Sequence, residues 1–513
     1  MMPEQTDVQT TQGDLKDYIY ASPVDDLQHK RRGLLVVVVL LLFAVLAVAV
    51  FYYFTADRTQ YYSDIQEHFK YGSIGSEPGG TIFTQVGGVL PPYLIFKTLP
   101  ALCPDKLPGG YASLGLVFEP GHDLPIGVSR RWRLGIEQVG LNCAVCHTGT
   151  VRESTQSHPQ IVLGMPAHQF DIEGFFRFVE DASLDDRVTA DSVIKQAEEM
   201  GEHVSLIQKL LLHLIVIRQL KLQTVSLQNR IGPLLNGGLP DWGRGRVDTF
   251  NPYKAIQFNW NLRALPHDEL IGACDFPSLW NQKPREGMHL HWDGNNTSVD
   301  ERNLSASLGA GVTPVTADHD SLLRIHNWIW TLPPPKYPFG IDQARSIRGK
   351  DIFTQQCAGC HSFGGQKTGT VEDIASIKTD PYRLNSYTYP LTGNQAQLYP
   401  AGQYRFTHFA KTNGYANQPL DGIWARAPYL HNGSVPTLLD LLENPADRPK
   451  QFARGYDVYD QHRVGFVSDT PDAHQFGFWY DTSIPGNANS GHLFGTNLPL
   501  DQKLDLIEFM KTL

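Results

Sequence analysis

The pattern of apolar and polar positions changes character several times along the chain. Residues 1–33 are polar and acidic, which reads as a disordered tail. Leu34 to Phe54 follows as 21 residues without a charge or a strongly polar side chain, long enough to cross about 30 Å of hydrocarbon as a helix. From 55 to 130 Gly and Pro are frequent and the periodicity fades, so extended loops with short elements are expected. Between about Asp185 and Gln228 a helical pattern returns. Val193, Ala197, Met200, Val204, Ile207, Leu211 and Leu214 recur at intervals of three and four, which predicts a packed amphipathic helix. Ser321 to Trp330 reads as another helix, stopped by Pro333-Pro334-Pro335. Arg345 to Gln356, with Gly349 and Phe353 four apart, and Leu500 to Leu513, with Leu504, Ile507 and Met510 on one face, predict two further helices.

Composition adds bounds. A chain of 513 residues can hold two or more domains with their own cores, and 46 Gly with 34 Pro suit a loop-rich body. The formal charge is −10, and His29-Lys30-Arg31-Arg32 is the longest basic block, which argues against nucleic acid as a partner. Those cations precede the apolar run, whereas Asp57 and Arg58 follow it. Positive residues stay inside, so the tail is expected in the cytoplasm and the remainder outside. A cleaved signal peptide is the rival reading, but its apolar core spans about 7–15 residues and starts nearer the terminus.

Four of the six cysteines fall into two copies of one pattern, Cys143-Ala-Val-Cys146-His147 and Cys357-Ala-Gly-Cys360-His361. With 6 Cys and 19 His in the chain, chance supplies about 0.003 copies. Two thiols two residues apart can add across the two vinyl groups of a porphyrin, and the adjacent His can turn beneath the ring to bind iron. A zinc site built from both hooks would leave the two His unexplained. Two covalent haem c groups are therefore expected, with His147 and His361 as proximal ligands. Bacteria attach haem covalently outside the cytoplasmic membrane, which agrees with the charge-derived orientation. In that oxidising compartment Cys103 and Cys274 could bridge, although buried free thiols are the alternative.

The second axial ligand sets the chemistry: Met raises the potential, a second His lowers it, and an open site admits peroxide or dioxygen. Of six Met, only Met510 lies beyond the second motif, within the expected closing helix. Haem 2 is thus expected to lack Met, and His492 and His431 stand out because each sits in a Gly-containing turn that lets backbone approach a ring. His408, His462 and His474 are weaker candidates. For haem 1, His158, His168, His267, His289 and His291 are available, and an open iron is equally compatible.

The strings Gly140-Leu-Asn-Cys-Ala-Val-Cys-His147, Phe276-Pro-Ser-Leu-Trp280, His291-Trp-Asp-Gly294, Ala427-Pro-Tyr-Leu-His-Asn-Gly-Ser-Val-Pro-Thr-Leu438 and Gly491-His492 carry a resemblance. From about residue 130 onward the chain resembles the bacterial dihaem cytochrome c peroxidase superfamily, and within it the rubber-oxygenase-like dihaem cytochromes. The resemblance implies two facing haem domains, one relaying electrons and one handling oxygen or peroxide, and it leaves room for a calcium ion between them without settling its presence. It implies a bis-histidine C-terminal haem with His492 as second ligand, and an N-terminal haem with a position for dioxygen. His267 could instead match the peroxidase distal His, and His168 is the other haem 1 candidate. Leu430 stands where typical peroxidases carry a Met, which departs from a high-potential relay. Trp280, Trp260 and Trp292 are candidates for an aromatic between the haems, with core packing as the default for each.

The expected architecture is mainly α and loop-rich, with two cytochrome c-like haem domains after a single N-terminal transmembrane helix. Its parts are a cytoplasmic tail (1–33), an anchor (34–54), a first haem domain (55–335) with a helical insert near 185–228, and a second cytochrome c domain (336–513). The expected function is a periplasmic oxidoreductase held in the bacterial cytoplasmic membrane, with peroxide or dioxygen chemistry at haem 1 and relay through haem 2. Its electron donor or acceptor would be a protein or a membrane quinol-linked complex. The alternatives are a pure electron-transfer cytochrome and a haem-based sensor.

Overall fold

A computed structural model describes residues 23–78, 90–399 and 401–513. Its first helix, α1 (Pro23–Thr55), starts ahead of the expected anchor, so the end of the expected tail is helical. Residues 1–22 of that tail lie outside the described residues. Within α1, Gln28–Thr55 is long and apolar enough to cross a membrane. By its contacts the chain divides into a unit ending at Ala56 and a second unit, Asp57–Leu513.

The boundary expected between residues 335 and 336 falls within the second unit. Buried ion pairs cross it, Arg454–Asp275 at 2.7 Å and Arg383–Asp293 at 3.2 Å. Arg246 also donates to Asn487 across it at 2.7 Å. Removing either partner of such a buried pair would leave a charge without water or counter-charge, so these contacts hold the halves together. Trp280 and Trp424 share one apolar cluster with Phe353, Leu506 and Met510.

Three short elements frame the first haem motif. Strands β1 (Arg58–Thr59), β2 (Val128–Arg133) and β3 (Ile136–Leu141) form an antiparallel sheet in register Val128↔Leu141 and Trp132↔Glu137. The β2–β3 turn is Leu134-Gly135, both with positive φ (58° and 81°), the backbone that closes a tight hairpin in step with strand twist. β3 runs straight into Cys143, and a second hairpin, β4 (Thr148–Val151) with β5 (Gln160–Leu163), begins one residue after His147. The motif is therefore pinned at both ends by strands, within a fold expected to be mainly α and loop-rich.

Around the second motif the fold follows the periodicity closely. Helix Gln343–Gln356 crosses helix Leu500–Met510. A Cβ at Gly349 would lie 1.9 Å from the Asp505 carbonyl oxygen, so only glycine permits this approach. Phe353 packs on Phe509 with ring centres 5.1 Å apart, and Asp505 accepts from Arg345 and Arg348 at 3.0 and 2.8 Å. The buried face of the closing helix is Leu506, Ile507 and Met510, with Leu504 only half-buried.

The insert is two helices, Ala190–Glu199 and the long helix Leu206–Leu235, with a break at Gly201 (φ +84°). The expected single face splits accordingly: Val193, Ala197, Val204 and Leu211 are buried, but Met200, Ile207 and Leu214 are exposed.

Cys103 and Cys274 do not bridge. Cys103 closes the C-terminus of helix Tyr93–Leu102 near Asp185 and Arg187. Cys274 lies in strand Ala273–Asp275, where its sulfur accepts from Arg383 at 2.9 Å. Both are buried free thiols, the alternative raised from the sequence.

Candidate haem-binding site

The first motif is shaped by Asn142. Its Oδ1 accepts the Ala144 N–H at 2.9 Å, and its Nδ2 donates to the carbonyls of Lys70 and Gly72 at 3.1 and 3.0 Å. That fastens the turn Cys143–Val145 to helix Ile65–Tyr71. The His147 ring then meets the Pro277 carbonyl, with Nδ1 2.7 Å from its oxygen. Only a protonated Nδ1 can pair with a carbonyl, so Nε2 keeps its lone pair for a metal. Burial pushes His147 down to about 4, and the nearby Arg302 guanidinium adds to that, so the ring is neutral at pH 7. Burial pushes the Cys143 thiol up to about 11 and raises Cys146 further still.

The second motif repeats this logic with different parts. His361 ends the short helix Ala358–His361, and its Nδ1 donates to the Gln418 carbonyl at 2.8 Å. Burial lowers its pKa as well, and pushes the Cys357 thiol up to about 11. Facing it is His492, with ring centres 6.2 Å apart and ring planes at 41°. Two imidazoles on opposite sides of one metal, each bond about 2 Å and each ring centre about 1 Å further back, have centres roughly 6 Å apart. The spacing fits a shared metal and is too wide for ring stacking.

His492 is held in place by its backbone. It adopts a left-handed conformation (φ 50°) after Gly491 (φ 74°), and its N–H donates to the Ile377 carbonyl at 3.0 Å. A Cβ at Gly491 would lie 2.4 Å from that same oxygen. The buried Arg448 guanidinium donates to the carbonyls of Asn489, Gly491 and His492 at 2.6, 2.9 and 3.1 Å. Burial, then the neighbouring His361 and Arg448, push His492 down to about 3. Its buried Nδ1 has no hydrogen-bond partner. A turn this constrained around a neutral imidazole matches a ligand position.

The other candidates sit in different surroundings. His431 is buried with Nδ1 on Thr379 Oγ1 (3.2 Å), Nε2 on the Tyr415 hydroxyl (3.0 Å), and its ring stacked on Tyr415. Neither nitrogen is free for iron. His168 gives Nε2 to the Thr150 carbonyl at 2.9 Å and stacks on Phe466. His267 lies on the surface beside Asp268, with 64% of its side chain exposed, because its short helix His267–Leu270 faces solvent. Among the described residues no aromatic ring stands opposite His147 as His492 stands opposite His361. His291 is enclosed, with Nδ1 on Asn295 Oδ1, and burial pushes it down to about 4.

Of the three tryptophans, Trp280 connects the two motifs. It is 1% exposed, lies three residues after Pro277, and donates to the Leu163 carbonyl at 3.1 Å. A Cβ on Gly164 or on Gly422 would fall within 3 Å of its ring. Gly164 N–H donates to the His147 carbonyl, and Leu420 N–H, two residues before Gly422, donates to the His361 carbonyl. The indole thus fills the space between the two histidine-bearing segments. Trp292 donates to the Asp275 carbonyl at 2.8 Å, and Trp260 lies half-buried near the Lys254 ammonium. Arg285 and Arg426 both pair with Asp421 beside Trp280, and Arg285 also donates to the Trp280 carbonyl at 3.0 Å.

The carbonyls of Pro277 and Gln418 leave no trace in a side-chain pattern, so the sequence could not reveal these orienting groups. Nor did it single out Arg448, an isolated basic residue. Among the described residues one group of His, Cys, Asp and Glu is close enough to hold a metal ion, Glu67, Glu119 and His122. There the Lys70 ammonium already lies 3.0 and 2.8 Å from the two carboxylates. It does not combine the two cysteine motifs, as a zinc site would require.

Residues 414–453 match the RoxA-like, cytochrome c-like family. The matched stretch contains Gln418, which holds His361, together with Arg426, the whole Ala427–Leu438 string and Arg448. The chain is 35% identical over 286 residues to the uncharacterized protein y4iM of Sinorhizobium fredii, covering 46% of this chain and 64% of that relative. It is 27% identical to y4iJ of the same organism, also uncharacterized, covering 79% of this chain and 82% of the relative. The chain thus carries a RoxA-like, cytochrome c-like segment, which supports haem c binding.

Proposed function

We propose that the chain is a membrane-anchored dihaem cytochrome c with oxidoreductase activity at its N-terminal haem. Cys143 and Cys146 would attach the first porphyrin and His147 Nε2 would bind its iron; Cys357, Cys360 and His361 would do the same for the second, with His492 on its far side. Bound there, haem supplies one-electron transfer and, where an axial position is open, binding of dioxygen or peroxide. The single observation that carries the reading is the asymmetry of the histidines: His361 has a ring partner at 6.2 Å, and His147 has none among the described residues.

The rest follows from what the residues hold. The Pro277 and Gln418 carbonyls keep each proximal imidazole in one tautomer and one orientation. Arg448 keeps His492 from swinging away, so the C-terminal site stays closed to ligands and suits relay. Trp280 excludes water between the two segments and offers an aromatic route across them. The helix α1 would tether the body outside the cytoplasmic membrane, near membrane redox partners.

Titrating the matured, oxidised protein with cyanide while recording its Soret spectrum tests this reading. One haem of two should shift, and Cys143→Ser/Cys146→Ser should abolish the shift. If neither haem responds in either redox state, the enzyme reading fails and pure electron transfer replaces it.

A further inference from the structure

The long helix Leu206–Leu235 presents an apolar stripe to the outside. Leu206, Leu210 and Leu214, at intervals of four, are 74%, 51% and 70% exposed, and Ile207, Leu222 and Val225 extend the stripe. Its opposite side is packed into the body through Leu211, Val216, Leu220, Ile231 and Leu235. A helix wetted on its outer side would carry polar residues there, and a helix with one face committed to a protein core cannot be a span. Large exposed apolar surfaces of this kind mark contact sites.

Charge narrows the partner. No Asp or Glu occurs from His203 to Asn236, while Lys209, Arg218, Lys221 and Arg230 do. Lys209 and Lys221 lean back toward Glu198 and Asp186 at 2.6 and 3.9 Å. Arg218 is exposed on the striped side, with no carboxylate in ion-pair range among the described residues. A helix that flanks its apolar face with its own cations and carries no acid of its own has the composition of one lying in the plane of a bilayer with anionic headgroups. Chain continuity gives a second argument. The helix α1 ends at Thr55, and Arg58 is already paired with Trp132. Three residue steps span at most about 11 Å of chain, so an α1 that crosses a membrane keeps the start of the body close to its surface.

We infer that Leu206–Leu235 is an interfacial helix that seats the body on the outer leaflet of the membrane α1 spans. Leu206, Leu210, Leu214 and Leu222 enter the boundary between headgroups and acyl chains, and Arg218 meets lipid phosphate. The inference rests on the anchor reading of α1.

The test uses the full chain in vesicles of equal parts phosphatidylcholine and phosphatidylglycerol, with nitroxide labels placed singly by Leu214→Cys, Val45→Cys in α1, and Lys195→Cys on helix Ala190–Glu199. Lys195 is 78% exposed and serves as the aqueous reference. The unsubstituted chain, whose Cys103 and Cys274 are buried, is the labelling blank. Labels at 214 and 45 should be accessible to oxygen and protected from an aqueous nickel chelate, and the label at 195 should show the reverse. If the label at 45 lies in lipid while that at 214 reacts with nickel like that at 195, the anchor stands and the interfacial helix is refuted. If 214 is shielded from both reagents in vesicles and in detergent, protein covers the stripe and the inference is equally refuted. If 45 is itself nickel-accessible, the anchor and the inference fall together.

Discussion

At the residue scale, the site is an arrangement of neutral imidazoles whose free nitrogens are decided by their other hydrogen bonds. His147 and His361 each commit Nδ1 to a backbone carbonyl, leaving Nε2 for a metal, whereas His431 has both nitrogens engaged. His492→Ala should therefore turn the second haem from low to high spin, and His431→Ala should leave the spin state unchanged while destabilising the core. Electron paramagnetic resonance of the oxidised variants reads both, and an unchanged spectrum for His492→Ala would remove it from the ligand set. Away from the haem sites, burial and then the neighbouring Asp181 push Glu180 up to about 7 from 4.5. A carboxyl whose pKa is raised by folding stabilises the fold fully below the unfolded value and loses that contribution as pH climbs through the folded one. Unfolding free energy should thus fall between about pH 4.5 and 7, by on the order of 2 kcal/mol. Glu180→Gln should flatten that segment of the denaturation profile; an identical slope in the variant would assign it to other groups.

At the element scale, legibility tracks how much of an element's identity lies in its side-chain spacing. The helices Gln343–Gln356 and Leu500–Met510 show in the periodicity because their buried faces repeat at three and four. Gly349 permits their close crossing. Gly349→Ala should separate them and cost about 3 kcal/mol, a typical overpacking penalty, measured as a drop in chemical-denaturation stability; a neutral substitution would mean the helices do not touch there. The hairpins around the first motif did not show, because strands of four to six residues held mainly by backbone bonds leave little alternation to read. The insert misled for another reason. Its spacing of three and four runs unbroken past Gly201, yet the backbone turns there, and three of the seven predicted positions point outward. Among the histidines, His492 and His431 sat in equally suggestive turns, and only burial and partners separate them.

At the scale of the whole molecule, two short cysteine motifs far apart in the chain are brought into one body. Across the boundary expected near residue 335, Arg454, Arg383 and Arg246 find their partners. Such long-range polar pairs have no signature in a single sequence. The proposed topology would put this body outside the cytoplasmic membrane. A C-terminal alkaline phosphatase fusion should be active in a bacterial host, and an inactive but full-length fusion would reverse the orientation.

The central claim is that Cys143, Cys146, Cys357 and Cys360 each carry a thioether to haem. Intact mass spectrometry of the denatured chain, made in a host with cytochrome c maturation, measures this directly. The account requires two haem adducts, one of them lost in Cys143→Ser/Cys146→Ser and the other in Cys357→Ser/Cys360→Ser. A colourless protein at the bare polypeptide mass would contradict it.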